Sequence, residues 1–114
     1  MRTLDQINLK DNDRAALQEV GTALRAKLPI DKIILFGSKA RGDDHKDSDA
    51  DLLVLTSRNL TADERELMIR EIFENELQRG VMISPMVVPA IEWNQGVYIA
   101  MLLHNEVDRD GVLV

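Results

Sequence analysis

The sequence contains no cysteine. Disulfide bridges, thiol nucleophiles and thiolate metal sites are therefore all excluded together. Histidine is nearly absent: His45 and His104 have no second histidine at metal-ligand spacing, which excludes a zinc enzyme. No segment approaches the apolar length of a membrane span, and the opening Met1-Arg2-Thr3-Leu4-Asp5 lacks the hydrophobic run of a secretory signal. The expected location is cytoplasmic, away from membranes. Positive charge is in deficit, with 20 acidic residues against 14 Lys and Arg and a formal charge of -6. This balance favours solubility and argues against direct nucleic-acid binding over a broad surface. It leaves room for a local basic patch, and Lys39, Arg41, His45 and Lys46 supply one. Linkers, repeats and low-complexity segments are also missing.

What is present is an ordinary globular composition, 45% hydrophobic and 30% charged over 114 residues. The length suits one domain spanning 1–114 with a small core. It leaves little room for a deep pocket, so an enzymatic site here would be open or completed by a partner or a second copy.

The chain reads as α/β, a short mixed sheet of at least three strands packed against helices. Leu17, Val20, Leu24 and Leu28 repeat along one face of a first helix, with Asp11 or Asp13 as its cap. Lys32 to Phe36 is a short, β-branched apolar run and predicts an interior strand that stops at Gly37. A second strand begins near Asp49 and runs through Leu52-Leu53-Val54-Leu55. Thr61 followed by Glu64 forms a capping box for a helix to Arg79, ended by Gly80, with Ile69, Ile72, Phe73, Glu76 and Leu77 marking its packing side. Val81 to Val88 reads as a third strand, and Pro85 within it requires an edge or a bulge. One final helix is expected through Tyr98, Met101, Leu102 and Val107, released at Gly111 into a tail that adds a strand or covers a partner.

The chemistry concentrates between the first two strands. Gly37-Ser38-Lys39-Ala40-Arg41-Gly42 is a glycine-flanked turn whose amides, hydroxyl and cations suit phosphate oxygens, Arg41 offering the better bidentate contact. Such turns are also common without any ligand. Asp49 and Asp51, two apart at the head of a strand, project to one face. Two adjacent carboxylates repel unless neutralised, and Mg²⁺ supplies charge and oxygen coordination together. The alternative is a polar strand entrance following the acidic loop of Asp43, Asp44 and Asp47.

Gly37-Ser38, ten residues, then Asp49-x-Asp51 resembles the signature of the minimal nucleotidyltransferases in the DNA polymerase β-like superfamily. The likeness extends in element order over nearly the whole chain, to Arg109-Asp110-Gly111-Val112. It implies that Gly37 and Ser38 hold the β- and γ-phosphates of ATP, with Lys39 and Arg41 assisting, and that Asp49 and Asp51 are the catalytic, metal-binding pair. It also implies Mg²⁺ as cofactor, an acceptor hydroxyl attacking the α-phosphorus, and a helical HEPN-like toxin as partner and target.

One position departs from the pattern. Active members usually carry a third acid on the next core strand, and Val81 to Val88 contains none; Ser84 stands at the corresponding place. A neutral serine replaces neither the charge nor the base. Another acid, such as Glu92 or Asp47, or a partner's acid fills the role, or the chain binds nucleotide without robust transfer. Two other readings therefore accompany AMP transfer to a protein hydroxyl: a noncatalytic module masking a HEPN-like partner through its C-terminal surface, and a nucleotidyltransferase for small molecules. His45 as a phosphate contact, and Trp93 and Tyr98 as stacking platforms, compete with ordinary surface and core roles.

Overall fold

The computed structural model describes residues 1–43 and 48–114. Its strands are β1 (Arg2–Thr3), β2 (Ile30–Phe36), β3 (Ala50–Thr56), β4 (Ile83–Pro89) and β5 (Val112–Leu113). The helices are α1 (Asp11–Lys27), α2 (Ser38–Arg41), α3 (Ala62–Arg79), α4 (Ala90–Trp93), α5 (Gly96–Ala100) and α6 (Leu102–Asp110), with a 3-10 turn at Leu4–Gln6. The five strands make one mixed sheet in the order β1-β5-β2-β3-β4. β2 and β3 are antiparallel, β3 and β4 parallel with α3 as the crossover, and β5 joins the free edge of β2 antiparallel. The tail thus adds a strand, and Pro85 lies on an edge strand, where its missing donor is tolerated.

Alternation along the strands sorts the core into two halves. Ile33, Leu35, Ala50, Leu52 and Val54 turn to the side of α1 and α3, joining Leu17, Val20, Leu24, Met68 and Ile72. Ile34, Leu53, Leu55 and Val88 turn to the other side, against Trp93 of α4 and Val107 of α6. The sheet is therefore covered on both faces, which is why β3 is apolar at almost every position.

Three expectations are corrected. The first concerns α1, whose N-cap is Lys10 rather than an aspartate; Asp11 and Asp13 lie in its first turn, where negative charge still complements the helix dipole. Asp13 turns inward instead, 8% exposed, and accepts a hydrogen bond of 3.1 Å from Lys39 Nζ.

In α3 the capping box forms as expected, with Thr61 Oγ1 accepting from the Glu64 amide at 3.2 Å and Glu64 Oε1 from the Thr61 amide at 2.9 Å. Its packing face is displaced, however. Met68, Ile72 and Asn75 are buried, while Ile69, Phe73 and Leu77 are exposed. The contact with α1 is partly polar: Asn75 Nδ2 donates to Glu19 Oε2 at 3.0 Å, and Arg79 also pairs with Glu19. Apolar spacing alone therefore points to the wrong face.

The single C-terminal helix is three short ones. Gly96 takes a positive φ of 60°, which no helix continues through, and Met101 is extended at φ -77°, ψ 143°. Trp93 is buried and stacks on His104 with ring centroids 4.8 Å apart, and Tyr98 lies 5.8 Å from Trp93 on its other contact. Trp93 is thus a core residue of the second face, with Tyr98 partly buried against it.

Candidate nucleotide-binding site

β2 delivers the chain to Gly37, where φ is 78° and ψ -158°, a conformation open to glycine and strained for any L side chain. Space reinforces the requirement. A Cβ at Gly37 would stand 2.5 Å from Asp51 Oδ2. The backbone of the turn and the carboxylate at the head of β3 are thus in direct apposition. Ser38 then opens the single-turn helix α2, closed by hydrogen bonds from the Arg41 amide to the Gly37 carbonyl and from the Asp43 amide to the Ser38 carbonyl, both 3.1 Å, with Gly42 as its left-handed cap.

The sheet register explains the apposition. Phe36, the last residue before the turn, pairs with Asp51, and Asp51 pairs with Ser84 on the far side. Asp49, one residue before β3, lies on the same side as Asp51 by alternation, and Ser84 Oγ donates to Asp49 Oδ2 at 3.4 Å. The neutral serine therefore stands beside both aspartates. Odd positions of β3 face α4 and α6, so the carboxylates open on that side of the sheet.

Burial raises the Asp51 pKa above the ordinary carboxylate value, and the negative charges of Asp49 and then Glu106 add to the rise; Arg41 opposes it. Glu106, on α6, escapes sequence reasoning. Its Oε1 accepts from Arg41 Nη1 at 3.0 Å, while Arg41 Nε donates to Asp43 Oδ2 at 3.2 Å. The signal for Glu106 is tertiary: it precedes buried Val107 by one residue, and only the docking of α6 on β2 brings it to the turn.

The two cations of the turn diverge. Lys39 is buried in its ion pair with Asp13, whereas the Arg41 side chain keeps 36% of its surface exposed. Glu92 is exposed on α4. Asp44, His45, Lys46 and Asp47 lie outside the described residues.

The donor set fits Mg²⁺ in a limited way. Among the described residues no cluster of three acidic, histidine or cysteine side chains is poised around one point. Mg²⁺ characteristically takes one or two carboxylates and completes its shell with water and phosphate oxygens. Asp49 and Asp51 supply two carboxylates of that kind beside the Gly37 turn.

A mixed sheet carrying a glycine turn against a strand-borne aspartate pair defines a nucleotidyltransferase domain. The chain belongs to that family: the nucleotidyltransferase domain model matches residues 17–104. A candidate protein adenylyltransferase from Methanocaldococcus jannaschii is 37% identical over 70 residues, covering 61% of this chain and 69% of that protein. A second protein of that description from the same organism is 48% identical over 46 residues, 39% of this chain and 46% of the relative. Among solved structures, a toxin–antitoxin with AMP-PNP superposes with a TM-score of 0.58 at 18% identity, covering 84% of this chain and 69% of the other. A mutant of the MntA-HpeT toxin–antitoxin gives 0.56 at 19% identity, covering 94% and 72%. At such identity the structural likeness is one of fold.

Proposed function

We propose that this protein binds ATP with Mg²⁺ between the Gly37-Ser38 turn and Asp49-Asp51, and transfers AMP to a hydroxyl of a protein partner. The observation that carries this reading is the apposition of Asp51 to Gly37, whose positive φ favours glycine and whose Cβ position lies 2.5 Å from Asp51 Oδ2, so that a carboxylate stands against the backbone of the turn. Gly37 and Ser38 receive the β- and γ-phosphates. Arg41 is the more accessible cation of the turn and carries the stronger phosphate contact, while Lys39, paired with Asp13, supports the turn from its buried side. When bound, Mg²⁺ neutralises the triphosphate and polarises the reacting phosphoryl group. Asp49 and Asp51 would hold that ion and so set the α-phosphorus toward the acceptor; the hydroxyl oxygen bonds to that phosphorus, its proton passes to water because Ser84 offers no base, the bond to the β-phosphate oxygen breaks, and pyrophosphate leaves.

The partner in this reading is the HEPN-type toxin of a toxin–antitoxin pair, in the cytoplasm. Relatives named for protein adenylylation, and a fold shared with toxin–antitoxin structures of which one holds AMP-PNP, support it. So does the surface. Ile91, Val97, Ile99 and Leu102 are exposed on or beside the short helices that cover the carboxylate face, Leu102 at 86%. A protein docked there would reach the carboxylate side of the sheet.

Ser84 favours a second reading, a toxin-masking module that holds nucleotide and transfers slowly. A missing general base costs about 10²–10⁴-fold in rate. Incubation with labelled ATP, Mg²⁺ and a HEPN-type toxin encoded alongside decides between the two. The first reading requires a covalent AMP adduct on the toxin that disappears when Asp49 and Asp51 become Asn. Tight association without an adduct selects the second.

A further inference from the structure

Arg41 is claimed twice. As the accessible cation of the turn it faces the expected phosphates, yet Glu106 already holds its Nη1 at 3.0 Å, with both side chains about a third exposed. The pair joins residues 65 apart. Its geometry is held by more than itself: Arg2 Nη2 donates to the Asp110 carbonyl at 3.1 Å and to the Ala40 carbonyl at 3.4 Å, tying the end of α6 to α2. Glu106 is therefore presented to the turn by a docked helix. Asp43, the other carboxylate on Arg41, belongs to the turn's own exit and travels with it.

We propose that Glu106 is a built-in competitor of the triphosphate for Arg41, so that nucleotide binds by displacing a carboxylate of α6 from the guanidinium. This rests on the assignment of Arg41 to the phosphates. A carboxylate and a phosphate oxygen are equivalent acceptors for a guanidinium, and the two anions cannot share one N–H direction. Glu106 lies on α6, which packs through Val107 over the face of the sheet that carries the aspartates. The exchange moves no covalent bond. It sets the affinity for nucleotide, and it links that affinity to the position of α6, the helix whose first residue, Leu102, is almost fully exposed.

Titration calorimetry with MgATP on the full chain tests the exchange. Glu106→Gln should tighten binding about 2- to 5-fold, the range that release from an exposed ion pair permits. Asp108→Asn, the same charge change on the same helix, should leave it unchanged, and Glu106→Gln should have no effect once Arg41 is Gln. Unchanged or weaker binding in Glu106→Gln overturns the inference while leaving the nucleotide site in place. An equal gain in Asp108→Asn, or a gain that persists without Arg41, also overturns it by reducing the effect to net charge. Failure of both wild type and Glu106→Gln to bind MgATP rejects the nucleotide reading itself, and the inference with it.

Discussion

Along β3, Ala50, Leu52 and Val54 face one way and Asp51, Leu53 and Leu55 the other, and the two faces are finished differently. The even face is closed by α1 and α3, helices of 17 and 18 residues, over a large aliphatic cluster that includes Leu17, Leu24 and Leu52, all fully buried. The odd face is covered by helices of four, five and nine residues, a single small cluster around Trp93 and Val107, and a rim of exposed apolar side chains. Stability is concentrated on one side of the sheet. The other side holds the carboxylates and Arg41, while exposed apolar side chains occur on both, Ile69, Phe73 and Leu77 of α3 among them.

Substitutions one position apart can break this comparison. Leu52→Ala on the even face should cost about 2–5 kcal/mol through lost burial and a residual cavity, read as a large fall in thermal midpoint. The molecules still folded should bind MgATP with unchanged affinity. Gly37→Ala follows, because the positive φ alone costs about 1–3 kcal/mol and its Cβ meets Asp51 Oδ2. It should destabilise the fold and remove nucleotide binding together, since it lies where the two sides meet.

The pH dependence should separate the faces as well. On α3, hydrogen bonds from Arg58 first and then from the Thr61 amide hold the Glu64 pKa down to about 2, below its ordinary 4.5. A depressed carboxylate contributes stability that is present above the unfolded value and is lost as pH falls through the folded one. The stability difference between wild type and Glu64→Gln should therefore be constant at neutral pH and vanish between about pH 4.5 and 2 in acid-denaturation curves. The smallest effect belongs to the odd face. Asp51 is raised by burial and by its neighbours, so its ionised form is unfavourable in the free protein. Asp51→Asn should raise the thermal midpoint slightly while abolishing MgATP binding, read by thermal melts and calorimetry on the same preparation.

The legible parts of the sequence were those in which local chemistry and fold agree. Thr61, Glu64 and Gly80 bound α3 at the expected residues because a capping box and a glycine stop are local devices. The missing donor of Pro85 called for an edge or a bulge, of which the sheet order shows the edge, and the spacing from Gly37-Ser38 to Asp49-Asp51 marked the family. Features that depend on tertiary neighbours were not legible. The buried face of α3 runs through Asn75, whose burial depends on Glu19 reaching across from α1. The buried pairing of Lys39 with Asp13, 26 residues earlier, has no local signal in the sequence. Glu106 reaches Arg41 only after α6 has docked. The breaks in the C-terminal helix were nearer to hand, since Asn94-Gln95-Gly96 is a turn sequence inside an otherwise helical pattern.

We propose that the Gly37 turn and the aspartate pair form one metal-dependent triphosphate site. Calorimetric titration of ATP into wild type and into the Asp49→Asn, Asp51→Asn double variant, each with Mg²⁺ and with EDTA, tests it most directly. Wild type should show saturable one-to-one binding in Mg²⁺ alone, lost in EDTA and lost in a double variant that remains folded by circular dichroism. Equal binding by wild type and the double variant, or binding indifferent to EDTA, would contradict it.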